Sequence, residues 1–213
     1  LIAQENTASS QTKKCLDLLA SSLAKERDVV ENLLLFSRIS AKDMHLDKSE
    51  TDLRGILDQL IENYKFRWEE RKLEVAVSFD DALRPLWADA QLVKTALKHL
   101  LLNAIQFNKK GGRIHIEGKD TQDCVRISFS DTGIGIPQDK LSLVSDSFYQ
   151  VAEHLTREVG GLGLGLAIVR RIVEAHGGSV CVTSRAGAGS AFAITFPKLA
   201  AKELSPGIAE ENI

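Results

Sequence analysis

The chain has 213 residues, 44% of them hydrophobic, and its 27 basic and 29 acidic residues leave a formal net charge of −2. That length supports a buried core in one or two domains, while the near-neutral balance excludes a global field that would gather nucleic acid or an anionic membrane. No run approaches the ~20 apolar residues that span a bilayer, and Cys15, Cys124 and Cys181 stand far apart without C-x-x-C spacing, against a metal knuckle or a disulfide framework.

From Thr7 to Ile39 there is neither Gly nor Pro, and Leu16, Leu19, Leu23, Val30 and Leu33 recur at steps of three, four and seven. This predicts one long helix with a coiled-coil-like seam, interrupted at Glu26. Roughly 30 residues of helix reach about 45 Å, more than this chain can cover, so a partner helix and a homodimer through this segment are expected. Residues 1–40 form this first unit. Residues 41–50 lose the periodicity and gain charge, which marks a linker.

A second domain is expected over 51–198. Leu53 to Trp68 has helical spacing, with Thr51 or Asp52 as its cap, and "KLEVAVSF" alternates as a strand. Asp89 precedes the helical run "AQLVKTALKHLLLNAIQF". A Gly111-Gly112 turn leads into the strand "RIHIEGKD", and "DCVRISFSD" reads as its hairpin neighbour. "GLAIVRRIVEAHGG" is helical again, followed by the strands "SVCVTSR" and "SAFAITFP". The order predicts an α+β fold, a two-layer sandwich with helices on one face of a mixed, mainly antiparallel sheet. Residues 199–213 read as a flexible tail.

Three stretches within that domain carry chemistry. In "HLLLNAIQFN", Asn103 stands mid-helix, where an amide is a poor helix former and costly to bury without a partner. In "DTGIGIP", Asp131 opens a tight turn whose glycines, Gly133 and Gly135, leave room for a flat ring. In "GGLGLGL", Gly161, Gly163 and Gly165 precede a helix whose N-terminal N–H groups and dipole can hold an oligophosphate. A plain hinge is the alternative reading of that glycine run.

Taken together in this order, the stretches resemble the N box and the two glycine boxes of sensor histidine kinases, within the superfamily that also holds gyrase-type, heat-shock-chaperone and mismatch-repair ATPases. "GAGSAFAITFP" resembles the closing segment of the same domain. The resemblance implies that the domain binds ATP with Mg²⁺. Asn103 would ligate the metal through its amide oxygen, and Asp131 would accept a hydrogen bond from the adenine amine. Gly133 and Gly135 would clear the ring, and Ser190 would support it through water. Gly161, Gly163, Leu164 and Gly165 would close over the phosphates, with His99 one turn before Asn103 facing a phosphate or a water. Residues 138–160 would form a lid.

The pattern has departures. His99 stands where the family often has asparagine, Gln106 where it often has a basic residue, and Ser145 where a lid aromatic is usual. None of the five histidines, His45, His99, His115, His154 and His176, has the acidic successor of the family's phosphoacceptor motif. The resemblance therefore places the phosphoacceptor upstream of Leu1, so that no catalytic residue is assigned in this chain. It also implies a response regulator receiver domain as partner and a cytoplasmic location, with room for a membrane anchor upstream. An anti-sigma-type serine kinase and a degenerate, non-catalytic nucleotide-binding or docking module are the alternatives. The first predicts no long N-terminal helix, and His99, Gln106 and Ser145 motivate the second.

Overall fold

A computed structural model of the chain describes residues 2–40, 45–80, 83–141 and 163–198. In chain order these form α1 (Ile2–Ile39), β1 (Ser49–Thr51), α2 (Leu53–Glu70), β2 (Glu74–Phe79), β3 (Leu86–Ala88) and α3 (Ala90–Gln106). They continue with β4 (Arg113–Asp120), β5 (Cys124–Asp131), a 3-10 turn (Gln138–Lys140), α4 (Gly165–Ala175), β6 (Ser179–Arg185) and β7 (Gly189–Pro197).

Five strands make one sheet in the order β2-β4-β5-β7-β6. Only β2 and β4 run parallel, as α3 crosses over between them, and the other neighbours are antiparallel. Alternation puts Ile114 and Ile116 of β4, Ile127 and Phe129 of β5 and Ile194 and Phe196 of β7 in the core, each 1% exposed or less. Burial of side chains of this size stabilises by about 1.5–3 kcal/mol apiece. Arg113, His115 and Arg126 alternate to the open face, so helices cover one side of the sheet, the predicted two-layer α+β arrangement.

The helices start where their caps put them. Asp52 accepts from Gly55 N at 3.0 Å and caps α2. Thr51, the other candidate, instead donates to Ala88 O at 3.0 Å and fastens β1 to β3. Those two strands of three residues were not legible as strands, being too short for alternation to register. Asp89 caps α3, accepting from Gln91 N and Leu92 N at 3.2 and 3.1 Å. Its own N–H donates to His176 Nε2 at 3.0 Å, while the other ring nitrogen donates to Ile172 O at 2.7 Å. The neutral imidazole thereby ties the end of α4 to the start of α3. Burial keeps its pKa below the ordinary value.

α1 begins before the expected Thr7 and runs for 38 residues. Its Leu16, Leu19, Leu23, Val30 and Leu33 are 45% to 64% exposed, whereas Ile39 at its end is buried in the domain core and Leu35 and Phe36 are packed against it. Ser49 and Glu50, expected in the linker, are strand residues of β1. Among the described residues no helix is long and apolar enough to cross a membrane.

Candidate nucleotide site

His99, Asn103 and Phe107 recur every four residues, so one stripe along α3 carries all three, spread over about 12 Å of helix axis. Each end of the stripe meets one of the glycine segments.

At the far end, Phe107 O accepts from Ile134 N at 3.1 Å, which lays the "DTGIG" turn against the end of α3. Gly133 is required there, because a Cβ would come within 2.2 Å of that carbonyl. Gly135 has φ +64°, and a Cβ on it would stand 2.0 Å from Arg185 O. The turn is thus clamped between α3 and the β6-β7 hairpin, with Gly187 N donating to Ile134 O at 2.7 Å.

Asp131 stands at the head of this turn. Its Oδ1 accepts from Gly133 N at 2.8 Å and from Ser190 N at 3.3 Å, so one oxygen is fixed by backbone, and no hydrogen bond to a described residue occupies Oδ2. Burial raises its pKa, and the two backbone N–H groups partly offset that. The arrangement offers an aimed, partly desolvated acceptor, which suits an amine donor.

Ser190, expected to assist through water, contributes its own N–H to Asp131 and bonds Ser184 Oγ at 2.9 Å through its hydroxyl. Ser184 in turn accepts from Ile136 N and donates to Gly189 O, both at 2.8 Å. Sequence reasoning missed Ser184, because a serine in an alternating strand with half-exposed positions gives no signal. It also left Asn108 and Thr132 unassigned. Thr132 Oγ1 accepts from Arg113 N at 2.8 Å and donates to the buried Asn108 at 3.3 Å, which props the turn from below. A polar residue just past a helix end, three positions before a Gly-Gly turn, is the signal that could have marked Asn108.

At the near end of the stripe, His99 lies beside the start of α4. A Cβ on Gly165 would sit 3.3 Å from its Nδ1, so glycine at 165 gives the imidazole its place. His99 is 8% exposed, and its Nε2 is buried without a hydrogen-bond partner among the described residues. Burial, followed by the Lys98 charge, lowers its pKa to about 4, with Asp28 of α1 acting in the opposite direction. It is therefore a neutral hydrogen-bonding group at neutral pH.

α4 opens without a capping side chain. Leu164 holds the cap position and is itself buried in the core, so its side chain anchors the segment and only its backbone is left to meet a ligand. Gly163 takes the left-handed conformation, φ +69°. The first N–H groups of α4, free of any side-chain cap, and the orphaned His99 nitrogen together make an anion-seeking corner. Asn103 lies half-buried between the two ends, and its amide has no hydrogen-bond partner among the described residues. Gly161 of the glycine run, with Ser145, Phe148, Tyr149 and Arg157 of the expected lid, lies outside the described residues.

This layout has a counterpart among known proteins. Residues 88–200 match the family described as histidine kinase-, DNA gyrase B-, and HSP90-like ATPase. The chain belongs to that family. Within it, the relatives are kinases. Over 182 residues, 85% of this chain, it is 32% identical to the adaptive-response sensory kinase SasA of Synechococcus elongatus, covering 46% of that protein. Over 193 residues, 90% of this chain, it is 30% identical to the sensor protein SrrB of Staphylococcus aureus, covering 33% of it. The chain thus spans less than half the length of either relative.

Among solved structures, full-length ShkA in complex with AMPPNP superposes with a TM-score of 0.71 at 30% identity, over 82% of this chain and 36% of that one. The complex of the histidine kinase ThkA with the response regulator TrrA superposes at 0.70 over 88% of this chain and 51% of that one; at 24% identity it supports the fold alone. The described domain is the ATP-binding catalytic domain of a histidine kinase.

Proposed function

We propose that this chain is the ATP-binding catalytic portion of a sensor histidine kinase, over 51–198, with the second helix of its dimerisation hairpin attached at 1–40. It transfers the γ-phosphate of ATP to a histidine upstream of Leu1, for relay to a response regulator aspartate. The observation that carries the reading is the α3 stripe, with an aimed carboxylate at one end and an orphaned imidazole beside an uncapped helix N-terminus at the other.

Asp131 Oδ2 accepts from the adenine amine, a contact that rejects guanine, whose carbonyl would face the carboxylate. Gly133 and Gly135 admit the ring, with Ser190 fixing the carboxylate and assisting through water. Gly161, Gly163, Leu164 and Gly165 present backbone to the triphosphate, and His99 offers it a neutral hydrogen bond. Asn103 supplies one amide oxygen toward Mg²⁺, a hard cation that keeps several waters. The donor fits, because the half-buried Asn103 side-chain amide has no hydrogen-bond partner among the described residues and its neutral oxygen suits a hard cation. When bound, the metal offsets phosphate charge. The protein's share is positioning and hydrogen bonding, as is general for phosphoryl transfer. The incoming imidazole's unprotonated nitrogen bonds to the γ-phosphorus as the bond to the β,γ-bridging oxygen breaks, ADP leaves, and the proton on the other ring nitrogen passes to solvent.

The exposed seam of α1 supports a homodimer, since Leu16, Leu19 and Leu23 are wet in a single copy. The ThkA–TrrA complex supports a receiver domain as partner, and the expected location is cytoplasmic.

Calorimetric titration with AMPPNP, with and without Mg²⁺, tests the nucleotide reading. Binding should be strengthened by Mg²⁺, and Asn103→Ala should erase the Mg²⁺ increment. A chain that binds no adenine nucleotide, or whose Mg²⁺ increment survives Asn103→Ala, refutes the assignment. Phosphorylation should then appear only when the chain is extended upstream to include a histidine followed by an acidic residue.

A further inference from the structure

The N-terminal half of α3, around Lys94 and Lys98, meets α2. Leu60, Tyr64 and Arg67 of α2 and Gln91, Lys94 and Lys98 of α3 line an open groove of about 460 Å³ between the two helices. Three lining groups are cations and none is a carboxylate. Lys94 and Lys98 make no ion pair with a described residue, and the Arg67 guanidinium lies 5.4 Å from the Tyr64 ring centroid. Like charges four residues apart on a helix destabilise it slightly, and no ion pair with a described residue relieves them. In a chain of net charge −2 this local excess is not a consequence of composition.

We propose that this groove docks an acidic segment of a partner protein, with its carboxylates on Arg67, Lys94 and Lys98 and an apolar side chain against Tyr64. The lining favours a segment over a compact anion. The groove positions lie within helices whose N–H groups are already engaged, that of Gln91 by Asp89 Oδ1, so no backbone amides remain to cradle a phosphate. The lining instead extends about 10 Å along each helix, with Lys94 and Lys98 about 6 Å apart on α3 and Arg67 across from them on α2, a spread that suits carboxylates strung along a chain.

The test uses the full chain and a fluorescein-labelled peptide of glutamates with one central leucine, followed by anisotropy at low salt. Binding is expected, should weaken as salt rises, and should fall at least tenfold in Arg67→Glu with Lys94→Glu. The exposed pair Lys109→Glu with Lys110→Glu should leave it unchanged. In the unsubstituted protein, the side-chain amide resonances of Asn63 and Gln91 should move on titration, which keeps the test open if the double variant does not fold. No binding, undiminished binding by the groove variant, or shifts confined to other surfaces would overturn the proposal. Binding of inorganic triphosphate in place of the peptide, with the same sensitivity, would also overturn it, in favour of a small polyanion site. AMPPNP affinity, measured in parallel, separates this outcome from any failure of the nucleotide site.

Discussion

The two ends of the α3 stripe are built on opposite principles. Around Asp131 the backbone is saturated with partners. Gly133, Ile134, Ile136 and Ser190 each donate to a fixed acceptor, and added side-chain atoms collide with carbonyl oxygens at 2.0 to 2.2 Å. Around His99 the groups have no partners among the described residues, with a ring nitrogen buried without a hydrogen bond, a helix uncapped and only a 3.3 Å approach at Gly165. On the proposed nucleotide assignment, the adenine end is set before ligand arrives, and the phosphate end holds unmet hydrogen-bonding capacity that a ligand would satisfy. An unpaired buried polar group costs about 1–3 kcal/mol, so stability and function pull against each other at one end and together at the other.

The largest break in that contrast should come from Gly135→Ala. With φ +64° and an overlap at 2.0 Å on Arg185 O, it should cost about 3 kcal/mol or more in urea unfolding and abolish nucleotide binding. Asp131→Asn keeps Oδ1 for its backbone donors and removes the carboxylate. AMPPNP affinity should fall by about 10- to 150-fold, the range for a hydrogen bond to a charged group, with thermal stability held or raised because burial already disfavours the ionised form.

His99→Phe should do the reverse of a normal core lesion. Removing the orphaned nitrogen should raise stability by about 1 kcal/mol and lower triphosphate affinity roughly threefold to tenfold, with adenosine affinity unchanged in the same titrations.

The two ends should also part in their pH dependence. The folded His99 pKa, about 4, lies below the ordinary 6.5, so the unfolded chain binds more protons between those values. Its contribution to stability is complete above 6.5 and is lost as pH falls toward 4, and His99→Phe should flatten that part of a Tm-versus-pH curve. His176, shifted the same way, would keep a residual slope. Asp131 has the opposite sign. Its folded pKa is raised, so stability declines as pH climbs from the ordinary carboxylate range through the raised value, while nucleotide affinity grows over the same interval. The smallest effect belongs to Gly165→Ala, where the His99 ring need yield only a few tenths of an ångström. Stability should change by under about 0.5 kcal/mol, with the perturbation visible in the His99 ring resonances.

The glycine run of "GGLGLGL" was readable either as a hinge or as a phosphate cradle. The described part supports both at once, since Gly163 is left-handed and Gly165 leads directly into an uncapped helix. Much of the site was legible because its chemistry depends on short-range spacing. The interval from His99 to Asn103 is one helical turn, and the glycines stand at fixed offsets from Asp131. Local sequence therefore determined the long α1, the helical and strand periods of the longer elements, and the order of chemical groups along the chain, while it left the α2 cap open between Thr51 and Asp52.

Only the tertiary structure decided the rest, because it rests on pairings between distant segments. The parallel pairing of β2 with β4, the three-residue ladder of β1 with β3, and the clasp of His176 on Asp89 join residues 35 to 87 positions apart. The Asn108–Thr132 prop, the Ser184–Ser190 pair and the cationic groove between α2 and α3 arise where elements meet. A residue's type and near neighbours record the period of its own element. They do not record which carbonyl or charge another element will bring against it, and here those encounters fix one oxygen of Asp131 and bury a nitrogen of His99 with no partner among the described residues.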